Sequence, residues 1–278
     1  MRYLLPVSSY GPDHEDFLEI SQISKAILHR MVNVSKLAEE LGILLRNCID
    51  HVIDTPHTGR CDYEDLEKTE KTYLGTRVEI RLRSLLRFPK GKLDLRIADR
   101  DVDIKFTIGS NWMIPSEAVN QICILVAADE ARAWCYFGLL KARLEYLTPS
   151  TNKDGKRSVS AAGFSHINWL VSDRSYPPNF WRAISKEKRA LIFSQTGGTR
   201  RLVTLFEVLQ GIPIHRSVVE SVAQQKDYMK RLRANGGARD ELLRRGIAVY
   251  SGKYDSSMIE ELGLPHCDSD YFISTRSE

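Results

Sequence analysis

The chain has 278 residues, 42% hydrophobic and 27% charged, with 40 Lys and Arg against 36 Asp and Glu, a formal net charge of +4. This is the composition of a globular protein of one large or two medium domains, long enough to bury a real core, and it excludes disordered and fibrous classes. The longest strongly apolar run, 122–128, is far short of the roughly 20 residues a membrane span needs, and the N-terminal stretch has no apolar segment followed by a cleavage site. The five cysteines (Cys48, Cys61, Cys123, Cys135, Cys267) are odd in number and never spaced CxxC. They read as small buried hydrophobes in a reducing, cytoplasmic setting, not as a disulfide scaffold or a zinc ribbon.

In chain order, the first elements read as helices. Asn33 and Ser35 offer caps, and Leu37, Leu41, Leu44, Leu45, Cys48, Ile49 and Val52 follow at helical spacing. Residues 55–59, Thr-Pro-His-Thr-Gly, read as a loop. A second helix is predicted over 69–86, with Leu74, Val78, Leu82 and Leu85 as its apolar stripe. An alternating hairpin follows over 93–106. Two further β-like runs lie at 119–127 and 131–139, with Asp129-Glu130 as the turn between them. Residues 148–163 are polar, with turn chemistry from Asn152 to Gly155. Tyr176-Pro177-Pro178-Asn179 is the best candidate for a hinge between domains.

The hairpin carries the most chemical information. Side chains of a strand alternate between faces. With a two-residue turn at Asp99-Arg100, Asp94 lies opposite Lys105 and Arg96 opposite Asp103. Leu93, Leu95, Ile97, Val102, Ile104 and Phe106 then share one face, and Asp94, Arg96, Asp103 and Lys105 the other. Carboxylates are hard oxygen ligands suited to Mg2+, which takes one or two of them together with water and phosphate oxygens. A lysine two residues after a metal carboxylate projects to the same side, where it can orient a water or stabilise charge on a phosphoryl transition state. The pattern Asp-x8-Asp-x-Lys is that of a PD-(D/E)xK nuclease site. It also fits a half-solvated hairpin with cross-strand ion pairs. Glu79, on the preceding helix, is a further carboxylate that can lie beside the polar face, or an ordinary exposed helix glutamate.

The positive charge sits in the C-terminal third. Residues 182–245 hold 14 basic and 6 acidic side chains, a pattern suited to a polyanion or to a solvated basic face. Short helices are predicted at 201–210, with Leu202, Leu205, Phe206 and Leu209 apolar, and at 215–223, with Val218, Val219 and Val222. A third, at 226–234, would bury Tyr228, Met229 and Leu232 and present Lys226, Lys230 and Arg233 outward, and Gly236-Gly237 would close it. With the β-like run 247–250 behind Arg239, Arg244 and Arg245, this order supports a winged helix whose basic helix enters the major groove. Gln224 and Gln225 are candidates for base contacts, with Arg231 among the flanking cations. In the first half, Ser110, Asn111 and Trp112 form a loop directly after the hairpin's second strand that could touch DNA, and Trp112 is also a candidate core residue. No HxxxH pair, Walker A sequence or GxSxG elbow is present.

Several of these residues form longer motifs. Lys68-Thr69-Glu70-Lys71-Thr72, Gly75-Thr76-x-Val78-Glu79, Asp103-x-Lys105, Trp112-Met113-x-Pro115, Ala133-Trp134 and the stretch 222–239 occur together. In these motifs the chain resembles the NaeI family of type II restriction endonucleases over most of 47–252, and in its acid order, more distantly, the mismatch-repair nickase MutH. The resemblance implies an α/β endonuclease domain, a mixed sheet flanked by helices, over 1–168. It also implies a mostly helical winged-helix DNA-binding domain over 169–278. It places the catalytic set on Glu79, Asp94, Asp103 and Lys105, with Mg2+ on the three acids. It further implies a homodimer cutting double-stranded DNA at a short GC-rich palindrome to leave 5′ phosphates, with a second DNA copy bound by the second domain. The alternatives are a MutH-like nickase and a winged-helix regulator with an inert nuclease half.

Overall fold

The structure is a computed structural model that describes residues 11–224 and 227–277. It separates into two compact units. The first comprises the chain up to Ile53 and Tyr63–Asn179. The second comprises Asp54–Asp62 and the chain from Phe180 on.

The first unit begins with α1 (Phe17–Arg30) and α2 (Val34–Ile53), followed by the single turn α3 (Thr55–Thr58), which clusters with the second unit, and α4 (Lys68–Leu86). Residues 55–59, expected as a loop, thus contain one helical turn. The Asn33 side chain caps α2, accepting from the Lys36 N–H at 2.8 Å. The sheet then forms from β1 (Leu95–Ile97), β2 (Arg100–Thr107), β4 (Ile122–Asp129), β5 (Trp134–Lys141) and β7 (Asn168–Ser175), in the spatial order β1-β2-β4-β5-β7. Between them lie a two-stranded ribbon, β3 (Met113–Ile114) with β6 (Arg157–Ser158), and the short helix α5 (Ala161–Phe164). The sheet is mixed, since β2 and β4 run parallel and the other neighbours antiparallel.

Both sheet faces are covered. Ile124, Val126, Val102 and Ile104 pack with Ile23 and Ile27 of α1, Leu41 and Leu45 of α2, and Leu74, Val78 and Leu82 of α4. Cys123, Leu125 and Ala127 point the other way, into a layer with Trp112, Ile114, Tyr136 and Ile167. β4 is therefore buried from Ile122 to Ala128, as a strand covered on both sides must be. Each fully buried aliphatic side chain contributes about 2 kcal/mol, and the two layers hold the β1–β2 hairpin in place.

The hairpin turn is Ala98-Asp99, both with positive φ (47° and 60°), one residue earlier than the predicted Asp99-Arg100. Two successive left-handed residues match the twist of a two-residue hairpin, and aspartate tolerates that conformation. The pairs are Leu95↔Val102, Arg96↔Asp101 and Ile97↔Arg100. Compared with the predicted ladder the register moves by an even step, so every side chain keeps its predicted face. The cross-strand neighbours change, and Asp94 comes level with Asp103 instead of Lys105.

The boundary drawn at 168/169 falls inside this unit. β7 pairs with β5 from Leu139↔Asn168 to Trp134↔Ser175, and Val171 and Tyr176 belong to the helix-side core. The units divide after Asn179, at the Tyr-Pro-Pro-Asn segment singled out as a hinge. A half-polar strand beside a proline pair gave little apolar signal to attach it to the sheet.

The second unit contains α6 (Lys186–Phe193), α7 (Gly198–Val208), β8 (Ile214–His215), α8 (Arg216–Ala223), α9 (Tyr228–Leu232), α10 (Ala238–Arg244), β9 (Ile247–Ser251), α11 (Ser256–Glu261) and β10 (Tyr271–Arg276). Its sheet is antiparallel, in the order β8-β10-β9. Leu202, Leu205, Phe206 and Leu209 are buried as predicted, together with Val219, Val222 and Leu242. The predicted helix over 226–234 is only the five residues of α9, and Met229 is 45% exposed, not buried. Gly237 ends the segment that follows: a Cβ there would lie 2.2 Å from the Arg233 carbonyl oxygen, so only glycine lets the chain pass this close. Among the described residues, no helix is long and apolar enough to cross a membrane.

Ala98→Gly should raise stability by roughly 0.5–1 kcal/mol, because glycine adopts the left-handed turn without a Cβ clash. Urea unfolding measures this, and a lowered midpoint would show that the left-handed conformation at Ala98 costs nothing that glycine relieves.

Candidate active site

The polar face of the hairpin gathers most of the candidate catalytic side chains. Val102 and Ile104 are fully buried on the helix side, so the intervening Asp103 and Lys105 project from the other face of β2. Asp103 is only 5% exposed. Lys105 Nζ lies 2.8 Å from Asp103 Oδ2 and donates to the Ile104 carbonyl at 3.0 Å. Asp94 Oδ2 accepts from the Ile104 N–H at 2.9 Å, which fixes that carboxylate beside Asp103, and Arg83 Nη1 approaches its other oxygen at 3.7 Å. Glu79, on α4, is within the electrostatic reach of Lys105, Asp94, Asp103 and Arg83.

This cluster is desolvated and short of positive charge. Burial pushes the Glu79 carboxyl up to about 7, against the pull of Lys105 and with the help of Asp94 and Asp103. Burial likewise pushes Asp103 up to about 6, although Lys105 pulls it down. Burial also works against the Lys105 ammonium, but pairing with Asp103 and the fields of Glu79 and Asp94 outweigh it and raise its pKa. Lys105 is thus a cation at neutral pH, with three acids competing for it.

The oxygen donors fit a hard divalent ion. Asp103 Oδ2 is buried without a well-directed hydrogen bond, its contact with Lys105 being an ion pair. Among the described residues, no group of three His, Cys, Asp or Glu side chains stands ready as a metal cage. The arrangement is instead two adjacent carboxylates with a third nearby, which is what an ion that keeps several waters and a phosphate oxygen requires.

The remaining candidates separate. Trp112 is 1% exposed, and its Nε1–H donates to the Val126 carbonyl at 2.7 Å. It is a core residue of the sheet's second face. The Asn111 side chain is occupied as a loop staple, donating to Val159 O at 2.9 Å and accepting from the N–H groups of Trp112 and Val159. Trp112 belongs to the layer that buries Cys123 and Leu125, whereas Asn111 is exposed at its edge. Ser110 is half-buried. In the second unit, Gln224 caps the C-terminus of α8 with φ 53°. Gln225 and Lys226 lie outside the described residues. Lys230 and Arg231 are exposed on α9, and Arg233 is its C-cap, so among the described residues the helix of 227–234 ends at Leu232. Arg239 opens α10, a helix not predicted from the sequence because glycines and Asp240-Glu241 interrupt its basic pattern.

These observations meet in one family. A family model described as "Restriction endonuclease NaeI" matches residues 22–278, and the chain belongs to that family of restriction endonucleases. It is 36% identical to the type II restriction enzyme NaeI of Lentzea aerocolonigenes over 233 residues, which cover 80% of this chain and 73% of that protein.

The raised Glu79 pKa has a stability consequence with a definite sign. The folded value, about 7, exceeds the ordinary 4.5, so the ionised carboxyl destabilises the fold. That penalty is absent below 4.5, grows with rising pH and is complete above about 7. Glu79→Gln should therefore stabilise the metal-free protein near pH 8 by on the order of 1 kcal/mol after solvent screening, with little effect near pH 4.5. Thermal melts at the two pH values check this, and an equal effect at both would place Glu79 outside the cluster.

Proposed function

We propose that this chain is a site-specific deoxyribonuclease that hydrolyses both strands of double-stranded DNA, with its catalytic centre on the polar face of the β1–β2 hairpin. The observation that carries the reading is the desolvated Asp103–Lys105 pair beside Asp94, in a chain of the NaeI restriction endonuclease family. Asp94 and Asp103, with Glu79 alongside, would hold Mg2+. That ion supplies Lewis-acid polarisation of the phosphodiester and a lowered pKa for a bound water.

The chain's own groups orient the reaction. The Ile104 N–H locks the Asp94 carboxylate. The Ile104 carbonyl and Asp103 hold the Lys105 ammonium next to the acids, where it can donate to the attacking water and to the charge developing on phosphorus. The water oxygen bonds to phosphorus and gives up a proton to solvent, the bond to the 3′ oxygen breaks, and that oxygen takes a proton from solvent, leaving a 5′ phosphate and a 3′ hydroxyl. Burial at Asp103 keeps these electrostatic terms strong.

Cutting two antiparallel strands with one centre per chain favours a two-fold homodimer. The order α7-β8-α8-α9-α10-β9-β10, with its three-stranded antiparallel sheet, supports a winged-helix reading of the second unit. In that reading α10, directly before β9, takes the place of the groove-reading helix assigned above to 226–234. Arg239 lies on it, while Lys230, Arg231 and Arg233 lie on or beside the preceding turn of helix and would hold phosphates. This unit would bind a second DNA copy, and a short GC-rich palindrome is the proposed target.

Asp103→Ala and Lys105→Ala should each reduce cleavage of supercoiled plasmid by about a hundredfold or more while DNA binding by gel shift persists. The wild-type protein should give linear molecules with 5′ phosphates. Loss of binding in both variants would contradict the assigned roles. Nicked circles alone would identify a nickase, and binding without cutting in Mg2+ or Mn2+ a DNA-binding regulator.

A further inference from the structure

A cavity of about 460 Å³ opens in the second unit, where the start of α8, α9 with Arg233 and Ala234, the start of α10 and the facing ends of β9 and β10 meet. Its floor is apolar. Leu232 and Phe272 are buried there, and Met229 is half-exposed beside them. Tyr254, 77% exposed, stands at the edge, with Lys253 Nζ 5.1 Å from its ring centre.

The rim is cationic and unneutralised. Arg233, Arg239 and Lys253 line it, and among the described residues no carboxylate pairs with any of them. The one acid in the lining, Asp270, is taken by Arg216, whose Nη1 donates to Asp270 Oδ1 at 3.1 Å and whose Nε donates to the Tyr228 hydroxyl at 3.0 Å. Glycine at 237 lets the chain pass close to Arg233, because a Cβ there would collide with the Arg233 carbonyl.

Ligand pockets of this kind, about 300–1,000 Å³ with an apolar body and a few convergent polar groups, take a compact molecule and not a flat surface. Three cations at one rim without a carboxylate partner call for an anion that shares its charge among several oxygens. An exposed tyrosine ring in one lining with a thioether and a phenylalanine calls for a planar aromatic body. We propose that this cavity binds a single nucleotide, with its phosphate on Arg233, Arg239 and Lys253 and its base over Met229, Leu232 and Phe272 against Tyr254. The nucleotide can come from two sources, free in solution or swung out of a bound DNA strand. The proposal goes beyond the hydrolytic reading and does not depend on it, because binding is measured without metal or cleavage.

The test is calorimetric titration of the full chain, free of divalent metal, with each deoxynucleoside 5′-monophosphate and with inorganic phosphate. At least one nucleotide should bind about tenfold or more tighter than phosphate, in keeping with one base stacked on an aromatic face. Tyr254→Ala combined with Met229→Ala should erase that margin, and Arg239→Ala should weaken nucleotide and phosphate alike. The Tyr254 and Met229 side chains are both substantially exposed, so folding should survive, and circular dichroism melting verifies it. Nucleotides that bind no tighter than phosphate, or a margin that survives the double substitution, would overturn the site. A 2-aminopurine walked through a duplex then identifies the source. A fluorescence rise at one position that Tyr254→Ala abolishes supports the site with DNA as the source, whereas mononucleotide binding with no rise at any position supports it with free nucleotide as the ligand.

Discussion

Strand β2 can bury only one of its faces against the helices. Val102 and Ile104 take that side, into the core built by α1, α2 and α4, and the period-two alternation then leaves Asp103 and Lys105 no choice of direction. The parallel pairing with β4 adds the second half of the constraint. It sets Asp103 beside Cys123, a fully buried thiol whose pKa is pushed up by burial first and then by Asp103. An aspartate with such a neighbour loses most of its water. The catalytic potential of the hairpin thus follows from packing on its opposite face, and a register slip of one residue would move both groups into the apolar layer.

That desolvation has a cost which the fold carries elsewhere. Glu79 and Asp103 resist ionisation, while Lys105 alone cannot satisfy both of them and Asp94. A well-formed core over both sheet faces tolerates such a cluster, and a divalent cation bound as proposed would relieve it. Acidic sites that are uncomfortable when empty and neutralised when loaded commonly exchange stability for activity in this way.

The sequence was most legible where burial imposes a period. The stripe on α4, the continuous apolar run of β4 and the two faces of the hairpin could all be read, because each records which side meets the core. Local conformation was less visible. Ala98 gives no hint of a positive φ, so the turn was placed one residue late and Asp94 was paired with the wrong partner, although the faces survived. Trp112 shows why a loop position can mislead: it follows β2 closely in sequence, yet its indole turns back to the Val126 carbonyl. In the second unit, glycines and acids interrupt the basic pattern. A helix was therefore drawn through 226–234, where the chain makes only one short turn, and α10 went unseen because its residues carry mixed charge. β10 was missed because its ladder partners lie at Ile247–Ser251 and Ile214–His215, a pairing no local pattern encodes.

A crystal structure of the protein with duplex DNA and Ca2+, an ion that can occupy the centre without turnover, tests the account most directly. The expected result is an ion roughly 2.3–2.6 Å from carboxylate oxygens of both Asp94 and Asp103, sharing a phosphate oxygen of the strand, with the Lys105 ammonium turned toward the same phosphate. An ion bound elsewhere, with the Asp103–Lys105 pair still closed and the DNA remote from the hairpin, would contradict it.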